Sequence, residues 1–308
     1  ARFAAEQLGE FEGLQERDVF EVEFWPPEQA KVRRVQRPAS TGRVALVTGA
    51  AGAIGAAISG ALARSGAAVV MVDRPGAEQS KRLQVAADRV RTSGHAPFTL
   101  AFDVTDKSAC EDAVQQVVAE YGGLDLLVLA HGIAEVAEID ALSEESLRRS
   151  FEVNALGSFH LMGVFTRISK LQATGGDIVL ISTKNVMDPG ASFAAYSASK
   201  AAAHQLARVA ALELAPHDIR VNVVSPDAVF GDEQIPSQLW QSAGAARARS
   251  KGIDPAALPE IYRQRSLLKL AVKPEHVAQA VLFFVERRTP TTGAVLPVDA
   301  GLPGAFPR

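Results

Sequence analysis

Cysteine is nearly missing from this chain, and its scarcity limits the chemistry that the protein can use. One cysteine, Cys110, stands among 308 residues. This excludes an internal disulfide and a cysteine-based metal cluster, and we expect no metal site of any kind. Such usage is typical of a reducing compartment, so we expect a cytoplasmic protein.

Long apolar runs and a strong excess of one charge are also missing. No run reaches the roughly 20 apolar residues that a membrane span needs, and no signal peptide is visible. The net charge of −3 gives no reason to expect nucleic acid or an anionic membrane as a partner. The composition, 47% hydrophobic and 22% charged, is that of an ordinary globular protein. The first residue is Ala rather than Met, which suggests a piece of a longer product.

Residues 1–41 differ from the rest of the chain. They are rich in glutamate and interrupted by prolines, and alternation around Phe20, Val22 and Phe24 indicates one short strand. We interpret residues 1–41 as an N-terminal arm or inter-domain linker, with a disordered tail as the alternative.

From residue 42 onward, short apolar runs alternate with helical segments. Strands that read as continuous apolar runs indicate a parallel sheet covered on both faces. We therefore predict an α/β fold with a parallel sheet of about seven strands and helices on both faces, in a single domain over residues 42–308. The predicted strands are Val44–Val47, Ala67–Val72, Pro97–Phe102, Leu124–Leu129, Asp177–Ser182, Ile219–Val224 and Ala294–Val298.

Residues 231–265 interrupt this alternation. They are polar, helical in places and without an obvious strand, so we predict a substrate-lobe insertion that sets specificity. Lys184, Asn185, Trp240 and Arg247 are candidate pocket residues, and placement on the surface is an equal alternative.

A glycine-rich turn, Thr48–Gly55, follows the first strand and opens a helix. Gly49, Gly52 and Gly55 allow a tight turn and a close approach of the backbone to a pyrophosphate at the helix N-terminus. Asp73 ends the next strand, where a carboxylate accepts hydrogen bonds from ribose hydroxyls and repels a 2′-phosphate. This pattern favours NAD over NADP, although Arg74 could hold that phosphate.

A second acidic residue ends the third strand. Asp103, followed by Val104, suits the adenine amino group. The alternative is a helix cap, since a helix begins near Asp106.

Tyr196 and Lys200 stand four residues apart in an alanine-rich helical segment. On a helix their side chains share one face. A neighbouring cation lowers the pKa of a phenol, which would make Tyr196 a proton acceptor for an alcohol. The alternative is an ordinary surface pair.

Together these motifs resemble the short-chain dehydrogenase/reductase family from about Gly42 to the end. The resemblance is carried by Thr48–Gly55, Asp73, Asp103-Val104, Asn154, Tyr196-Ser-Ala-Ser-Lys200 and Ile219-Arg-Val-Asn-Val-Val-Ser-Pro226. It implies a Rossmann-type doubly wound parallel sheet, a nicotinamide cofactor and a catalytic group of Asn, Ser, Tyr and Lys. The cofactor-binding positions it implies are Gly49, Ala51, Gly52, Ile54, Gly55, Asp73, Arg74, Asp103, Val104, Ala130, Gly132, Tyr196, Lys200, Pro226, Ala228 and Val229.

The resemblance also assigns catalytic roles. Asn154 would order a water beside Lys200, Tyr196 would be the base, and Lys200 would also bond the nicotinamide ribose. By its spacing from Tyr196, Thr183 occupies the position of the catalytic serine, and Ser182 is the fallback.

Three departures from the family pattern matter. Ala53 replaces the middle glycine of the turn. The loop after the fourth strand reads Leu129-Ala-His-Gly132 where the family commonly has Asn-Asn-Ala-Gly. This loses an asparagine that normally ties strands together and puts His131 near the cofactor, and we expect a structural role for His131. Asp227 follows Pro226 where a glycine is common, and the threonine that often reaches the nicotinamide amide is absent.

A closer resemblance is to bifunctional rhamnulose-1-phosphate aldolase/short-chain dehydrogenase proteins, in their C-terminal part. It is carried by residues 182–186, 225–230, 262–269 and the ending Thr-Gly-Ala-Val-Leu-Pro-Val-Asp-Ala-Gly, and residues 24–27 resemble the linker there. It implies oxidation of lactaldehyde to lactate in rhamnose breakdown, with an aldolase domain fused at the N-terminus. The alternatives are a secondary-alcohol or sugar-alcohol dehydrogenase, and a non-catalytic NAD-binding scaffold. The family tendency implies a homodimer or homotetramer.

Many aldehyde oxidations use a cysteine thiolate. Cys110 follows the third strand, away from the reactive end of such a sheet, and acidic Glu111 and Asp112 would raise its pKa. We therefore expect Cys110 to be a bystander, and the aldehyde to react as its hydrate.

Overall fold

The computed structural model describes residues 38–92 and 96–305. The predicted arm therefore lies outside the described residues, apart from residues 38–41, and so does its predicted strand. Residues 38–41 pack beside the first helix, where the Ser65 hydroxyl donates to the Ser40 hydroxyl at 2.6 Å.

Seven parallel strands form one sheet in the order β3-β2-β1-β4-β5-β6-β7. Their bounds differ from the predicted ones by at most two residues. The strands are β1 Val44–Thr48, β2 Ala68–Asp73, β3 Phe98–Ala101, β4 Leu126–Leu129, β5 Gly176–Ile181, β6 Ile219–Pro226 and β7 Val295–Val298. Strands β1, β4 and β5 are buried at every position, which is why they read as unbroken apolar runs. The predicted fold is confirmed.

Helices cover both faces of the sheet. They are α1 Ala53–Arg64, α2 Ala77–Arg91, α3 Lys107–Tyr121, α4 Glu144–Phe151, α5 Gly157–Gln172, α6 Ala194–Leu214, α7 Gln238–Lys251, α8 Leu258–Gln264 and α9 Pro274–Val285. One core layer packs α1, α2 and α9 on the sheet, around Ile58, Leu62 and Val281. The opposite layer packs α3, α5 and α6 around Leu161 and Phe165.

The order of the strands fixes where a ligand can bind. The chain winds outward from β1 through β2 to β3, and then returns to place β4 on the other side of β1. In open α/β sheets, ligands bind at this switch point, in the crevice outside the carboxyl ends of the strands.

The connection between α4 and α5 is helical but not a regular α-helix. Between α4 and α5 lies one turn of π-helix, Glu152–Leu156, which contains Asn154. A side chain at position 157 would lie 2.6 Å from a methyl group of Val104, so only glycine lets the helix approach the end of β3 this closely. Single π turns are frequent at functional sites.

Residues 231–265 contain α7 and α8 and no strand. An aromatic cluster of Phe230, Trp240 and Tyr262 joins these helices, with ring centroids 4.8–6.0 Å apart. The Gln238 amide donates to the Ala51 carbonyl at 3.3 Å, so this segment reaches the glycine-rich turn.

Candidate active site

A cavity of about 490 Å³ opens at the carboxyl ends of the strands. It extends from the glycine-rich turn to Tyr196. Nearly all predicted site residues line it: Gly49, Gly52, Ile54, Gly55, Asp73, Arg74, Asp103, Val104, Ala130, Gly132, Thr183, Tyr196, Lys200, Pro226, Ala228 and Val229. Ala51 and Asn154 do not line the cavity. They contact residues that do, since the Ala51 amide donates to Asp73 and the Asn154 side chain accepts from the Ile133 amide.

The glycine-rich turn has the shape that an anion site requires. Gly49 adopts φ +64°, and a side chain there would lie 2.8 Å from the Ala130 carbonyl oxygen. A side chain at Gly55 would overlap the Gly49 carbonyl. Helix α1 begins after Gly52 without a side-chain cap, so its first turn faces the cavity without a competing acceptor. This arrangement fits the pyrophosphate of a dinucleotide.

Asp73 is tied to this turn. Its carboxylate accepts from the Ala51 amide at 2.9 Å, from the Arg74 amide at 2.9 Å and from the Gln79 side chain at 2.6 Å. Burial raises the pKa of Asp73, and these hydrogen bonds lower it without cancelling the effect of burial. A carboxylate has about four acceptor sites, so capacity for ribose hydroxyls remains. Sequence reasoning missed Gln79, since nothing in the sequence pairs it with Asp73.

Asp103 is not the helix cap. The Asp106 side chain caps α3 by accepting from the Ala109 amide at 3.1 Å. Asp103 instead accepts from the amide and the hydroxyl of Thr105. Burial raises the pKa of Asp103, but the Thr105 hydrogen bonds and the Arg149 guanidinium outweigh it, so the pKa is lowered. An ionised carboxylate therefore faces the end of the cavity beside Asp73.

Lys200 is held by main-chain carbonyls. Its ammonium donates to His131 O at 3.1 Å and to Ile181 O at 3.0 Å. These carbonyls lie just after β4 and at the end of β5, so the lysine bridges two strand ends from α6. The side chain is buried, and burial lowers the pKa of Lys200 to about 8.

Asn154 fixes the loop after β4. Its amide nitrogen donates to Ile133 O at 3.0 Å and to Ser199 Oγ at 2.9 Å, and its oxygen accepts from the Ile133 amide at 2.9 Å. A side chain at Gly132 would lie 3.0 Å from the Lys200 ammonium and 3.2 Å from the Asn154 oxygen. Gly132 thus lies between the side chains of Asn154, which stands on the π turn, and Lys200.

The expected lowering of the Tyr196 pKa is wrong for this structure. Burial raises the pKa of Tyr196 to about 12, a hydrogen bond with Thr183 lowers it, and the Asp227 carboxylate raises it. The Lys200 ammonium is not among the groups that shift the pKa of Tyr196, and it donates to two main-chain carbonyls instead. The phenol is still partly exposed to the cavity.

The structure separates the two candidate hydroxyls. Ser182 Oγ lies 3.3 Å from His204 Nδ1, and both residues are buried. The Thr183 side chain hydrogen-bonds Tyr196 and also accepts from the Asn185 amide at 3.2 Å. Of the two hydroxyls, both of which line the cavity, the one that hydrogen-bonds Tyr196 is that of Thr183, and its catalytic role stays a prediction.

His131 has the expected structural geometry. Its Nδ1 lies 2.7 Å from Thr48 Oγ1 and its Nε2 lies 3.3 Å from Ser158 Oγ, so the ring ties β1 to α5. Burial and the nearby Lys200 ammonium lower the pKa of His131 to about 3. The imidazole is neutral near pH 7 and adds no charge to the site.

The end of the cavity beyond Tyr196 is lined by residues that follow β5 and by residues of α7 and α8. Lys184, Asn185, Trp240 and Arg247 all line it, and all but Trp240 are buried, so the surface alternative is wrong. Sequence reasoning missed the ion pair of Asp227 with Arg265. These residues are 38 positions apart, and no local pattern signals their contact.

Cys110 is buried and does not line the cavity. Burial, with help from Asp106 and Asp103, raises the pKa of this thiol to about 12. The predicted raised pKa is confirmed. Within residues 38–92 and 96–305, no cluster of His, Cys, Asp and Glu is placed to hold a metal ion. In the same part of the chain, no helix has the length and apolar character to cross a membrane.

The chain is similar in sequence and in fold to known proteins. A profile of the family described as short chain dehydrogenase matches residues 43–240. The chain is 34% identical to the uncharacterized oxidoreductase YuxG of Bacillus subtilis over 306 residues, which are 99% of this chain and 44% of that protein. It is 32% identical to galactitol 2-dehydrogenase of Agrobacterium fabrum over 213 residues, 69% of this chain and 78% of that protein.

The fold is also similar to that of a solved dehydrogenase structure. The crystal structure of NAD+-bound xylitol dehydrogenase superposes with a TM-score of 0.76 at 28% identity, covering 85% of this chain and 99% of that one. The chain therefore belongs to the short-chain dehydrogenase/reductase family of oxidoreductases.

Proposed function

We propose that this protein is an NAD-dependent dehydrogenase that oxidises a hydroxyl group of a small polar substrate. The observation that carries the proposal is one continuous cavity, with the uncapped α1 N-terminus and Asp73 at one end and Thr183, Tyr196 and Lys200 at the other. A nucleotide held at the first end would place its reactive end near the second.

The residues present fit this cofactor. The turn offers main-chain donors for the pyrophosphate, Asp73 suits the ribose, and Asp103 suits the adenine amino group. When bound, oxidised nicotinamide supplies the hydride acceptor and a positive charge near the phenol. Asp73 also supports NAD over NADP, because a 2′-phosphate would meet a carboxylate.

Each side chain at the reactive end has a distinct task. Tyr196 accepts the proton of the substrate hydroxyl, and the Thr183 hydroxyl donates its one hydrogen bond to the substrate oxygen. Lys200 provides a buried cation whose position is fixed by two carbonyls. Asn154 is a positioning residue, since it holds the loop that carries those contacts.

Two substrate types compete. The sequence resemblance favours lactaldehyde, whose hydrate is formally an alcohol that Tyr196 could deprotonate, with lactate as the product in rhamnose breakdown. The names of the relatives favour a sugar alcohol or another secondary alcohol, since one is a galactitol 2-dehydrogenase and one a xylitol dehydrogenase. The aldolase fusion rests on the sequence resemblance alone, and this chain spans less than half of YuxG.

The test combines binding with turnover. NADH and NADPH are titrated by fluorescence, and NAD reduction is measured with lactaldehyde, sugar alcohols and diols. Turnover of one class with NAD supports the proposal and selects the substrate. Tight NADH binding with no turnover of any compound would instead support a non-catalytic scaffold.

The proposal also covers the domain organisation, cellular location and oligomeric state of the enzyme. We expect residues 42–308 to form the dehydrogenase domain with its substrate lobe at 231–265, residues 1–41 to be an arm or linker, and the protein to be cytoplasmic. We also expect a homodimer or homotetramer. Phe159 on α5 and Leu212 on α6, which are 53% and 79% exposed, fit packing through helix pairs. Light scattering on the purified protein tests that expectation.

A further inference from the structure

Arg247 is a buried cation that has no acidic partner among residues 38–92 and 96–305. It lies on α7, lines the cavity and is 6% exposed. Its guanidinium donates to Ala191 O at 2.8 Å and to the Tyr262 hydroxyl at 3.2 Å, and Ser250 Oγ lies 3.5 Å away. Its Nη2 donates to no residue within the described part of the chain. A buried charge normally has a countercharge, because leaving it unpaired is costly.

Two other cations of the cavity wall, Lys184 and Arg265, already have their countercharges. The Lys184 ammonium lies 3.2 Å from an Asp188 oxygen, and Arg265 pairs with Asp227. These acids are therefore engaged elsewhere. At the end of the cavity formed by α7 and α8, Arg247 is therefore left without a countercharge among the described residues, and a single anion would balance it.

The position of Arg247 tells which part of a substrate would meet it. Its guanidinium carbon lies 5.1 Å from the centroid of the Phe193 ring, and that ring lies 6.0 Å from the ring of Tyr196. The cation is thus separated from the reacting phenol by one aromatic ring. A group on Arg247 would belong to the substrate end remote from the oxidised hydroxyl.

We infer that the substrate is a hydroxy carboxylate, whose carboxylate binds Arg247 while its hydroxyl lies at Thr183 and Tyr196. This inference rests on the proposed function, since it assumes that Tyr196 receives the hydroxyl proton. The planar guanidinium matches a carboxylate with two parallel hydrogen bonds. Neutral lactaldehyde lacks a remote carboxylate, so the inference favours the secondary-alcohol class.

The test compares matched substrates. β-Hydroxybutyrate, γ-hydroxyvalerate and δ-hydroxycaproate are each paired with the diol that has a terminal hydroxyl in place of the carboxylate. In at least one pair we expect kcat/KM with NAD to be at least roughly tenfold higher for the carboxylate, the effect of a charge-assisted hydrogen bond. Equal use of both members in every pair would overturn the inference.

Variants locate the effect. Arg247→Gln should lose roughly tenfold to a hundredfold of kcat/KM on the preferred carboxylate and leave turnover of its diol nearly unchanged, while Arg247→Lys keeps part of the preference. Arg249→Gln is the matched control, because Arg249 is exposed on the same helix. An equal loss on both substrates in Arg247→Gln, with a lowered Tm, would show that Arg247 only braces α7 and would overturn the inference.

A binding arm separates this inference from the proposed function. Valerate and pentanol, which lack the reacting hydroxyl, are added to the NADH-loaded protein and the Tm is measured. Stabilisation by valerate in wild type but not in Arg247→Gln supports the carboxylate site even if no compound is oxidised. No stabilisation by valerate, in a protein that does oxidise alcohols, would overturn the inference and leave the proposed function intact.

Discussion

The hydroxyl of Thr183 gives the sharpest test of the reactive end, because a matched neighbour exists. Thr183→Val keeps the shape of the side chain and removes its hydrogen bond to Tyr196. Losing one such transition-state donor costs about 10²–10³ in kcat, or about 2.7–4 kcal/mol. The loss of the acceptor for the Asn185 amide at 3.2 Å should cost only about 1 kcal/mol of stability.

Ser182→Ala is the control. Ser182 lies 3.3 Å from His204 and not at Tyr196, so its loss should cost about 1 kcal/mol of stability and leave kcat nearly unchanged. Steady-state NADH formation and urea unfolding of both variants separate the two effects. The pH profile gives a further test. The hydrogen bond from Thr183 lowers the pKa of Tyr196, so the basic pH at which kcat/KM increases should be higher in Thr183→Val than in wild type. Near wild-type kcat in Thr183→Val together with an inactive Ser182→Ala would refute the assignment.

Three further predictions follow from the site. Asp73→Ala should relax the preference for NAD, measured as the ratio of kcat/KM with NAD to that with NADP, and a wild type that prefers NADP would show that Arg74 dominates. Cys110→Ser should retain activity and thiol alkylation should not inhibit, since burial raises the pKa of Cys110 to about 12; an acyl-enzyme burst would contradict this. Burial lowers the pKa of Lys200 from 10.5 to about 8. Between pH 8 and 10.5 the unfolded chain therefore keeps a proton that the folded chain has lost. The free energy of unfolding should rise with pH across this range, by on the order of 3 kcal/mol. Lys200→Met should abolish turnover and remove this rise in urea unfolding, and an unchanged pH dependence would count against a buried ammonium.

The fold could be predicted almost completely from the sequence. Continuous apolar runs marked the buried strands, and the glycine-rich turn marked the edge at which the cavity opens. Such local signals survive because they arise from backbone sterics and burial, which neighbouring residues determine.

The electrostatics of the site could not be predicted in the same way. The spacing of Tyr196 and Lys200 correctly placed both side chains at the cavity but gave the wrong sign for the phenol pKa, because burial depends on the whole surrounding protein. The pairing of Asp227 with Arg265, and the lack of an acid at Arg247, also depend on contacts between distant segments. Periodicity carries no information on such contacts.

The most direct test of the central claim is Tyr196→Phe. The substitution removes only the phenolic oxygen, at a side chain that packs 6.0 Å from Phe193 between ring centroids, so the fold and the nucleotide end of the cavity should be preserved. We predict that this variant still binds NADH by fluorescence titration and loses nearly all NAD reduction with every substrate that wild type oxidises. Substantial turnover by Tyr196→Phe would contradict the account, because another group would then have to accept the proton.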